Sequence, residues 1–379
     1  MSKDKNIAQQ DYLPKMLSSI CFYVSYIALV AGQTLGYGSG DFEYMIIAIV
    51  ASVLLSFGIL LNGYRVRDLP AYALLIGVSV LSTVVTHKLT LLLTVLLLCC
   101  AKGKSTRDIF KCTLIVKMVS IIALFLLFEM EIFKAETKTH YSPAMGEEVE
   151  RFSINGTSTN ILHLGLCTVF LLLIYLYPLF RSIASLLIMF VINYLFYTQV
   201  THGTAGLFVT SLLLLLSAFI FHCNTAEFFF DKYIFMSVPL FICVFIYSGY
   251  EYGKQGWISQ LDRVMTGRIA YNHYWLTQYG ISLFGNNTSG ASAFFDNSVI
   301  YLLVQFGLIV FVAVFYAYYR GMLEYGKTGK TEDVLLLFAF LLYSMSESVL
   351  PSAVVNPSLF ILLCLLQGKR LTANKEVLD

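Results

Sequence analysis

Long apolar segments recur along this chain of 379 residues, with polar stretches between them. An apolar run of ~20 residues is long enough for a helix to cross a lipid bilayer. Hydrophobic residues make up 58% of the chain and charged residues only 13%, which is too apolar a composition for the surface of a soluble protein of this size. The sequence therefore predicts an all-α, polytopic membrane protein that forms a single membrane-embedded domain over residues 1–379.

About twelve of these segments are predicted to be transmembrane helices. The two polar stretches at about 129–159 and 251–296 are much longer than a connection between helices requires, so they are predicted to carry the function. The predicted spans are roughly 16–32, 43–61, 71–86, 89–101, 112–128, 160–177, 182–197, 204–221, 233–249, 297–319, 333–349 and 355–367.

The distribution of basic residues predicts how the chain is oriented. Most of the 25 Lys and Arg residues lie in the set of loops that includes both termini. Because loops rich in Lys and Arg stay in the cytoplasm, both termini are predicted to be cytoplasmic and both long loops to lie outside.

Charge and cysteine usage exclude several kinds of site. The net charge is +2 and there is no basic stripe, so nucleic acid is not an expected partner. All eight cysteines lie in or beside apolar segments, and no pair of histidines has the spacing of metal ligands on one helix, so no metal site is expected. No glycine-rich phosphate-binding loop is present, so no nucleotide is expected, and no cofactor is predicted.

The second long loop contains a predicted helix. Residues 259–262 have the pattern of a capping box, which predicts a helix that continues to about Tyr279. Arg268 and Asn272 interrupt an otherwise apolar face of this helix, so we interpret that face as lining a polar site. The residues on this face are Leu261, Val264, Met265, Arg268, Asn272, Trp275, Leu276 and Tyr279.

Arg263 and Arg268 are candidate phosphate-binding residues. A guanidinium group binds phosphate through two parallel hydrogen bonds and stays charged in a partly apolar site. The alternatives are that the two arginines contact lipid headgroups, or that they pair with Asp262.

Aromatic residues and a histidine in the same loop are further candidates. The faces of Trp257 and Trp275 suit stacking against sugar rings, although tryptophan is also common at the membrane interface. His273 is a candidate for proton transfer, with a surface or stacking role as the alternative.

The remaining candidates are charged and polar residues at the outer ends of predicted spans. Arg151 ends the first loop, where it either binds substrate or pairs with the acidic residues before it. Asp296 and Asn297 open the tenth span and either belong to a site or cap a helix. Glu347 lies near the outer end of the eleventh span, where a carboxylate is costly unless it faces a cavity.

Three segments, in this order, resemble the Wzy-type polymerases of surface polysaccharides, such as O-antigen, exopolysaccharide and capsule. That superfamily is shared with O-antigen ligases. The segments are Arg151-Phe-Ser-Ile-Asn-Gly156 with Asn160, Leu261-Asp-Arg-Val-Met-Thr-Gly-Arg268 followed by residues 279–285, and Asp296-Asn-Ser298 followed by residues 305–307.

The resemblance implies a GT-C-like membrane glycosyltransferase in the bacterial cytoplasmic membrane. Such an enzyme joins undecaprenyl-pyrophosphate-linked oligosaccharide repeat units at the outer face, without a metal. Its implied partners are these lipid-linked repeats, membrane lipids, a flippase and a chain-length regulator. The implied catalytic residues are Asp296, Arg268, Arg263 and His273, and the implied substrate-binding residues are Arg151, Asn160, Asn272, Trp275, Trp257 and Asn297.

The chain also departs from the family pattern. Asp296 occupies the position where ligases have a histidine, which favours a polymerase over a ligase. Ser158 and Thr159 replace the usual His-Pro, and His202 and Gly203 replace a frequent Ser-Arg. A polysaccharide transporter or flippase, an O-antigen-type ligase and a non-catalytic scaffold are the alternative functions.

Overall fold

The computed structural model describes residues 2–38, 41–64, 66, 68–142, 147–155, 157–201, 204–291 and 295–366. These residues form a helical bundle and a small sheet. The helices are α1 (Ser2–Thr34), α2 (Phe42–Leu61), α3 (Leu69–Thr86), α4 (Thr90–Cys100), α5 (Thr106–Glu129), α6 (Thr159–Leu176), α7 (Ile183–Phe196), α8 (Thr204–His222), α9 (Asn224–Tyr233), α10 (Ser237–Tyr250), α11 (Gly256–Val264), α12 (Arg268–Tyr279), α13 (Ser298–Ile300), α14 (Leu308–Lys327), α15 (Thr331–Tyr343) and α16 (Leu359–Leu366). Short 3₁₀ turns occupy Pro178–Arg181 and Ile234–Met236, and π turns occupy Tyr197–Thr201 and Tyr301–Phe306.

Eight helices in the described part of the chain are long and apolar enough to cross a membrane. They are Leu13–Thr34, Phe42–Leu61, Leu69–Thr86, Thr106–Glu129, Ile183–Thr201, Thr204–His222, Asn224–Tyr250 and Leu308–Lys327. Two shorter apolar helices, Thr90–Cys100 and Asn160–Leu176, accompany them. The prediction of a helical, multi-pass membrane protein is confirmed.

The interior of the bundle is built around α15. Its residues from Val334 to Leu337 and from Ala339 to Tyr343 are all buried, as expected for a helix that is apolar on every side. By contrast, α7 buries only Leu186, Met189 and Asn193, and its other apolar side chains face outward as they would toward lipid.

The helices of the structure do not fill the predicted spans 333–349 and 355–367. Helix α15 ends at Tyr343 and α16 begins at Leu359, so the fifteen-residue segment 344–358 between them is not α-helical, yet it is largely buried. Irregular backbone at membrane depth needs partners within the protein. The hydroxyl of Thr94 provides two of them, because it donates to the Pro351 carbonyl at 2.8 Å and accepts from the Ala353 N–H at 2.9 Å.

The predicted span 297–319 is interrupted at Gly307. This residue has φ 88°, and a Cβ atom placed on it would lie 2.3 Å from the Gly285 nitrogen. Gly285 itself has φ 99°, and a Cβ atom there would lie 2.1 Å from the Gln305 carbonyl oxygen. The two glycines therefore allow residues 283–286 to pack directly against residues 305–309.

The single helix predicted between residues 259 and 279 is wrong. The chain forms α11 and α12, separated by a tight turn in which Thr266 has φ 55° and Gly267 has φ 84°. The predicted capping box is also wrong, because Asp262 caps the second helix rather than the first. Its Oδ1 atom accepts hydrogen bonds from the N–H groups of Ile269 at 2.8 Å and Ala270 at 3.2 Å.

The first long loop forms a three-stranded antiparallel sheet that the sequence did not predict. Its strands are β1 (Ala135–Ser142), β2 (Glu147–Ile154) and β3 (Thr157–Ser158), and β3 leads directly into α6. Arg151 lies on β2 opposite Lys138 of β1, and its side chain is outside the described part of the structure. The hypothesis that Arg151 pairs with the neighbouring acidic residues concerns this side chain and therefore lies outside the described residues.

Candidate functional site

A turn formed by residues 344–350 is the centre of the candidate site, and Ser298 at the start of α13 holds it in place. The Ser298 N–H donates to the Ser344 carbonyl at 2.8 Å, and its hydroxyl donates to the Glu347 carbonyl at 2.6 Å. The same hydroxyl accepts from the N–H groups of Val349 at 2.8 Å and Leu350 at 3.2 Å. One serine thus sets the position of the turn that carries Glu347.

Asn297, and not Asp296, caps the short helix α13. Its Oδ1 atom accepts from the N–H groups of Val299 at 2.8 Å and Ile300 at 3.2 Å, and its Nδ2 atom donates to the Met345 carbonyl at 3.1 Å. Both ends of the amide are therefore bonded within the protein. Asp296 is buried next to Asn297. Because Asn297 is the cap, helix capping does not explain why a carboxylate is buried at position 296.

Arg268 joins the turn between α11 and α12 to the turn that carries Glu347. Its side chain is buried, with the residue only 4% exposed. Nε donates to the Ser346 carbonyl at 3.2 Å, and Nη1 donates to the Met265 carbonyl at 3.1 Å and to the Thr266 hydroxyl. Nη2 lies 4.0 Å from Oε1 of Glu347.

The Arg268–Glu347 pair is the principal charged feature of the site. Glu347 is 8% exposed, so its carboxylate has lost most of its contact with solvent and the guanidinium supplies the compensating charge. A buried charge left without its partner costs ~3–5 kcal/mol. The sequence singled out Glu347 by its position in an apolar run, whereas its pairing with Arg268, which lies far away along the chain, required the tertiary structure.

Only part of the predicted face is buried in the structure, namely the part on α12, whereas Val264 of α11 is 80% exposed. Arg268, Asn272 and Trp275 follow one another at helical spacing, and all three are buried. Asn272 is 2% exposed, and its amide nitrogen has no hydrogen-bond partner among the described residues. Trp275 stacks against Phe295 with ring centroids 3.8 Å apart, so this face of the indole is covered by the protein.

Three other predicted residues lie apart from the Arg268–Glu347 pair. Arg263 is exposed on α11, and no hydrogen bond or ion pair links its side chain to the described residues. Trp257 is half exposed and stacks on Tyr247, with centroids 6.2 Å apart. His273 is partly buried and bonds through Nδ1 to the Gly249 carbonyl at 2.8 Å.

Asp262 also affects Tyr252, an aromatic neighbour of His273. The ring of Tyr252 lies 5.5 Å from the ring of His273. Burial, followed by the nearby Asp262 carboxylate, raises the pKa of the Tyr252 phenol above its ordinary value. Asp262 already accepts two backbone hydrogen bonds from α12, so its carboxylate has a structural role. The described ion pairs do not include one between Asp262 and the neighbouring, exposed Arg263.

Asn160 lies in the first turn of α6, which is capped by Ser158. The Ser158 hydroxyl accepts from the Ile161 N–H at 3.4 Å, so Ser158 serves as the N-cap of this helix. Asn160 is half-buried, and no described hydrogen bond connects it to Arg268 or Glu347. The structure therefore does not join this part of the predicted site to the Arg268–Glu347 pair.

A buried polar cluster around His163 was missed by the sequence analysis. Nδ1 of His163 lies 2.9 Å from the Thr201 hydroxyl, and Nε2 lies 2.7 Å from the Asn193 Oδ1 atom. Asn193 also donates to the Ser211 hydroxyl at 3.0 Å. The signal for this cluster was an asparagine within the apolar run of α7, where a polar side chain needs a partner.

Of the predicted residues, the structure places Arg268 and Asn297 in contact with the buried turn that carries Glu347. Asn272 and Trp275 are buried on the same helix as Arg268, and Asp296 is buried next to Asn297. In comparisons with known proteins, no family model, no curated protein and no solved structure matches this chain.

Proposed function

We propose that this protein is a polysaccharide polymerase. It joins undecaprenyl-pyrophosphate-linked oligosaccharide repeats at the outer face of the bacterial cytoplasmic membrane. The observation that carries the proposal is the buried Arg268–Glu347 pair, held on an irregular segment inside a multi-pass helical bundle. Ionisable groups in such a place are expensive, and functional sites are where they are usually retained.

The span count and fold class belong to the same proposal. Eight long helices and the two shorter apolar helices make ten spans, and α15 and α16 would bring the total to twelve. A bundle of this kind with its long loops on one side is the architecture that a GT-C-like enzyme requires. The resemblance of the three sequence segments to Wzy-type polymerases supports this assignment.

In the proposed reaction, a hydroxyl of the acceptor sugar attacks C1 of the sugar attached to the donor pyrophosphate. The C1–O bond breaks, and the lipid pyrophosphate leaves with the bonding electrons. We assign binding of the pyrophosphate to Arg263, whose exposed guanidinium makes no hydrogen bond or ion pair with the described residues. Stabilising the charge on a leaving group in this way lowers the barrier.

The buried residues have different roles in the proposed reaction. Asp296 accepts the proton of the attacking hydroxyl, and Arg268 positions Glu347 and provides positive charge beside the reacting groups. Asn272 offers a donor to an oxygen of the sugar substrate. An unpaired buried amide costs ~1–3 kcal/mol, and a bound sugar oxygen would remove that cost.

We expect Asp296→Asn to stop polymerisation while the protein still folds. Since Asn297 is the helix cap, the substitution removes a carboxylate without removing the cap. Loss of a general base lowers the rate roughly 10²- to 10⁴-fold. The measurement is polymer length by gel electrophoresis, together with membrane levels of the protein. Full-length polymer at the normal rate would make Asp296 structural and leave His273 as the leading base.

The proposed orientation predicts a specific labelling pattern. Ser289→Cys, at an exposed position of the second long loop, is expected to react with a membrane-impermeant thiol reagent in intact cells. Lys327→Cys, exposed at the end of α14, is expected to react only after the cells are broken. The parent protein is the control, because Cys223 and Cys243 are also exposed. Labelling of position 327 alone in intact cells would invert the orientation.

A transporter is the second candidate function. It is favoured by Lys117, which is buried within α5, and by the buried His163 cluster, because polar groups within spans often mark a transport path. Deleting the chain distinguishes the functions through the lipid-linked saccharides that accumulate. Single repeats at the outer face indicate a polymerase, repeats trapped in the inner leaflet indicate a flippase, and lipid-linked polymer indicates a ligase.

A further inference from the structure

An apolar cleft of about 550 Å³ lies between α3, α4, α14 and α16, and Arg268 and Glu347 are not among the residues that line it. Its walls are almost entirely hydrocarbon and include Val78 of α3, Leu91 of α4, Ala313 of α14 and Leu362 of α16. Ala313 is exposed, so the cleft opens to the side of the bundle that faces lipid. In a bilayer, such an opening is accessible to a hydrocarbon chain.

The length of the cleft corresponds to one leaflet. Along α14 its lining runs from Ile309 to Arg320, a rise of about 16 Å at ~1.5 Å per residue. The hydrocarbon core of a bilayer is ~30 Å thick, so one leaflet contributes about half of that. The cleft therefore matches the depth of a single lipid chain.

Only one end of the cleft carries positive charge. Arg320 lines this end, and its side chain is 45% exposed although it also pairs with Glu324 at 3.2 Å. Tyr72 lines the same end, and its buried hydroxyl has no hydrogen-bond partner within the described ranges. Lys102 lies nearby, with Nζ 5.6 Å from the centre of the Tyr72 ring and 3.6 Å from Oδ2 of Asp68, with which it pairs.

The opposite end of the cleft is apolar. Leu350 and Pro351 line it, and the hydroxyl of Thr94 beside them is already bonded to Pro351 and Ala353. A lipid whose charged group lay at this end would find no cation among the described residues that line this end of the cleft. The distribution of charge thus selects the direction from which a lipid enters.

We propose that the cleft binds one acyl chain of an anionic phospholipid from the leaflet on its basic side. Arg320 and the Tyr72 hydroxyl hold the phosphate of that lipid. The far end of the chain contacts Leu350 and Pro351, so the lipid braces the segment that also carries Glu347. This site is distinct from the proposed catalytic site and does not depend on the reaction assigned to it.

Native mass spectrometry of the full-length protein in detergent tests the role of charge. The probes are phosphatidylglycerol and phosphatidylcholine with the same acyl chains. We expect about fivefold tighter binding of phosphatidylglycerol, as a basic residue near an anionic lipid contributes ~1 kcal/mol. Arg320→Gln should remove this preference. Lys327→Gln is the matched control, because Lys327 also contacts Glu324, at 3.6 Å, but does not line the cleft.

A pair of substitutions on α14 tests the role of the cleft itself. Ala313→Phe fills the cleft and is expected to weaken phosphatidylglycerol binding at least tenfold. Val312→Phe is its control, since Val312 is adjacent, 55% exposed and not part of the lining. Equal binding of the two phospholipids, or equal effects within either matched pair, overturns the proposal. The proposal also fails if undecaprenyl phosphate, and not phosphatidylglycerol, loses its binding in Ala313→Phe.

Discussion

Replacing Arg268 with lysine is expected to abolish long polymer while single lipid-linked repeats accumulate. The guanidinium reaches the Ser346 carbonyl, the Met265 carbonyl and the Glu347 carboxylate from three separate nitrogens. One ammonium group cannot reproduce this geometry. Each lost charge-assisted bond is worth ~1.5–3 kcal/mol, or roughly 10- to 150-fold in rate if it acts in the transition state. Mass spectrometry of lipid-linked saccharides measures the outcome.

Arg263→Lys is the matched control for this substitution. Arg263 is exposed in the same loop and makes no described side-chain hydrogen bond, so lysine preserves its charge at little structural cost. A milder shortening of the polymer is expected, from the lost second hydrogen bond to pyrophosphate. Normal polymer length in the double substitution of Arg263 and Arg268 would remove the pyrophosphate assignment and most of the case for an enzyme.

Glu347→Gln is expected to eliminate polymerisation and to destabilise the protein. The substitution keeps the size of the side chain but leaves Arg268 buried without its compensating charge, at a cost of ~3–5 kcal/mol. Glu324→Gln is the control, because Glu324 pairs with a half-exposed Arg320 and such pairs contribute ~0–1 kcal/mol. Thermal unfolding of the purified protein measures stability, and gel electrophoresis measures the polymer.

Combining Glu347→Gln with Arg268→Gln separates stability from function. Removing both charges relieves the uncompensated charge, so most of the lost stability should return. Polymerisation should remain absent, because the proposed site has then lost its cation and its carboxylate. Recovery of polymer in the double variant would assign the pair a purely structural role.

The sequence by itself determined the class of the protein and the location of its long polar loops. Apolar composition and run length are local properties, and they indicate a membrane span regardless of how the helices pack. The helical spacing of Arg268, Asn272 and Trp275 was equally local, which is why their common buried face on α12 could be predicted. Glu347 was identifiable for the same reason, since a carboxylate in an apolar run is conspicuous.

The tertiary structure decided what these residues contact. The predicted spans 333–349 and 355–367 both extended into segment 344–358, although this segment contains five serines and two prolines. Its course depends on distant hydrogen bonds, from Ser298 to Glu347 and from Thr94 to Pro351. Asp296 and Asn297 are adjacent residues with similar capping propensities, so only the backbone geometry decides that Asn297 is the cap. Local patterns thus determined which segments enter the membrane, and long-range hydrogen bonds determined the arrangement of the candidate site.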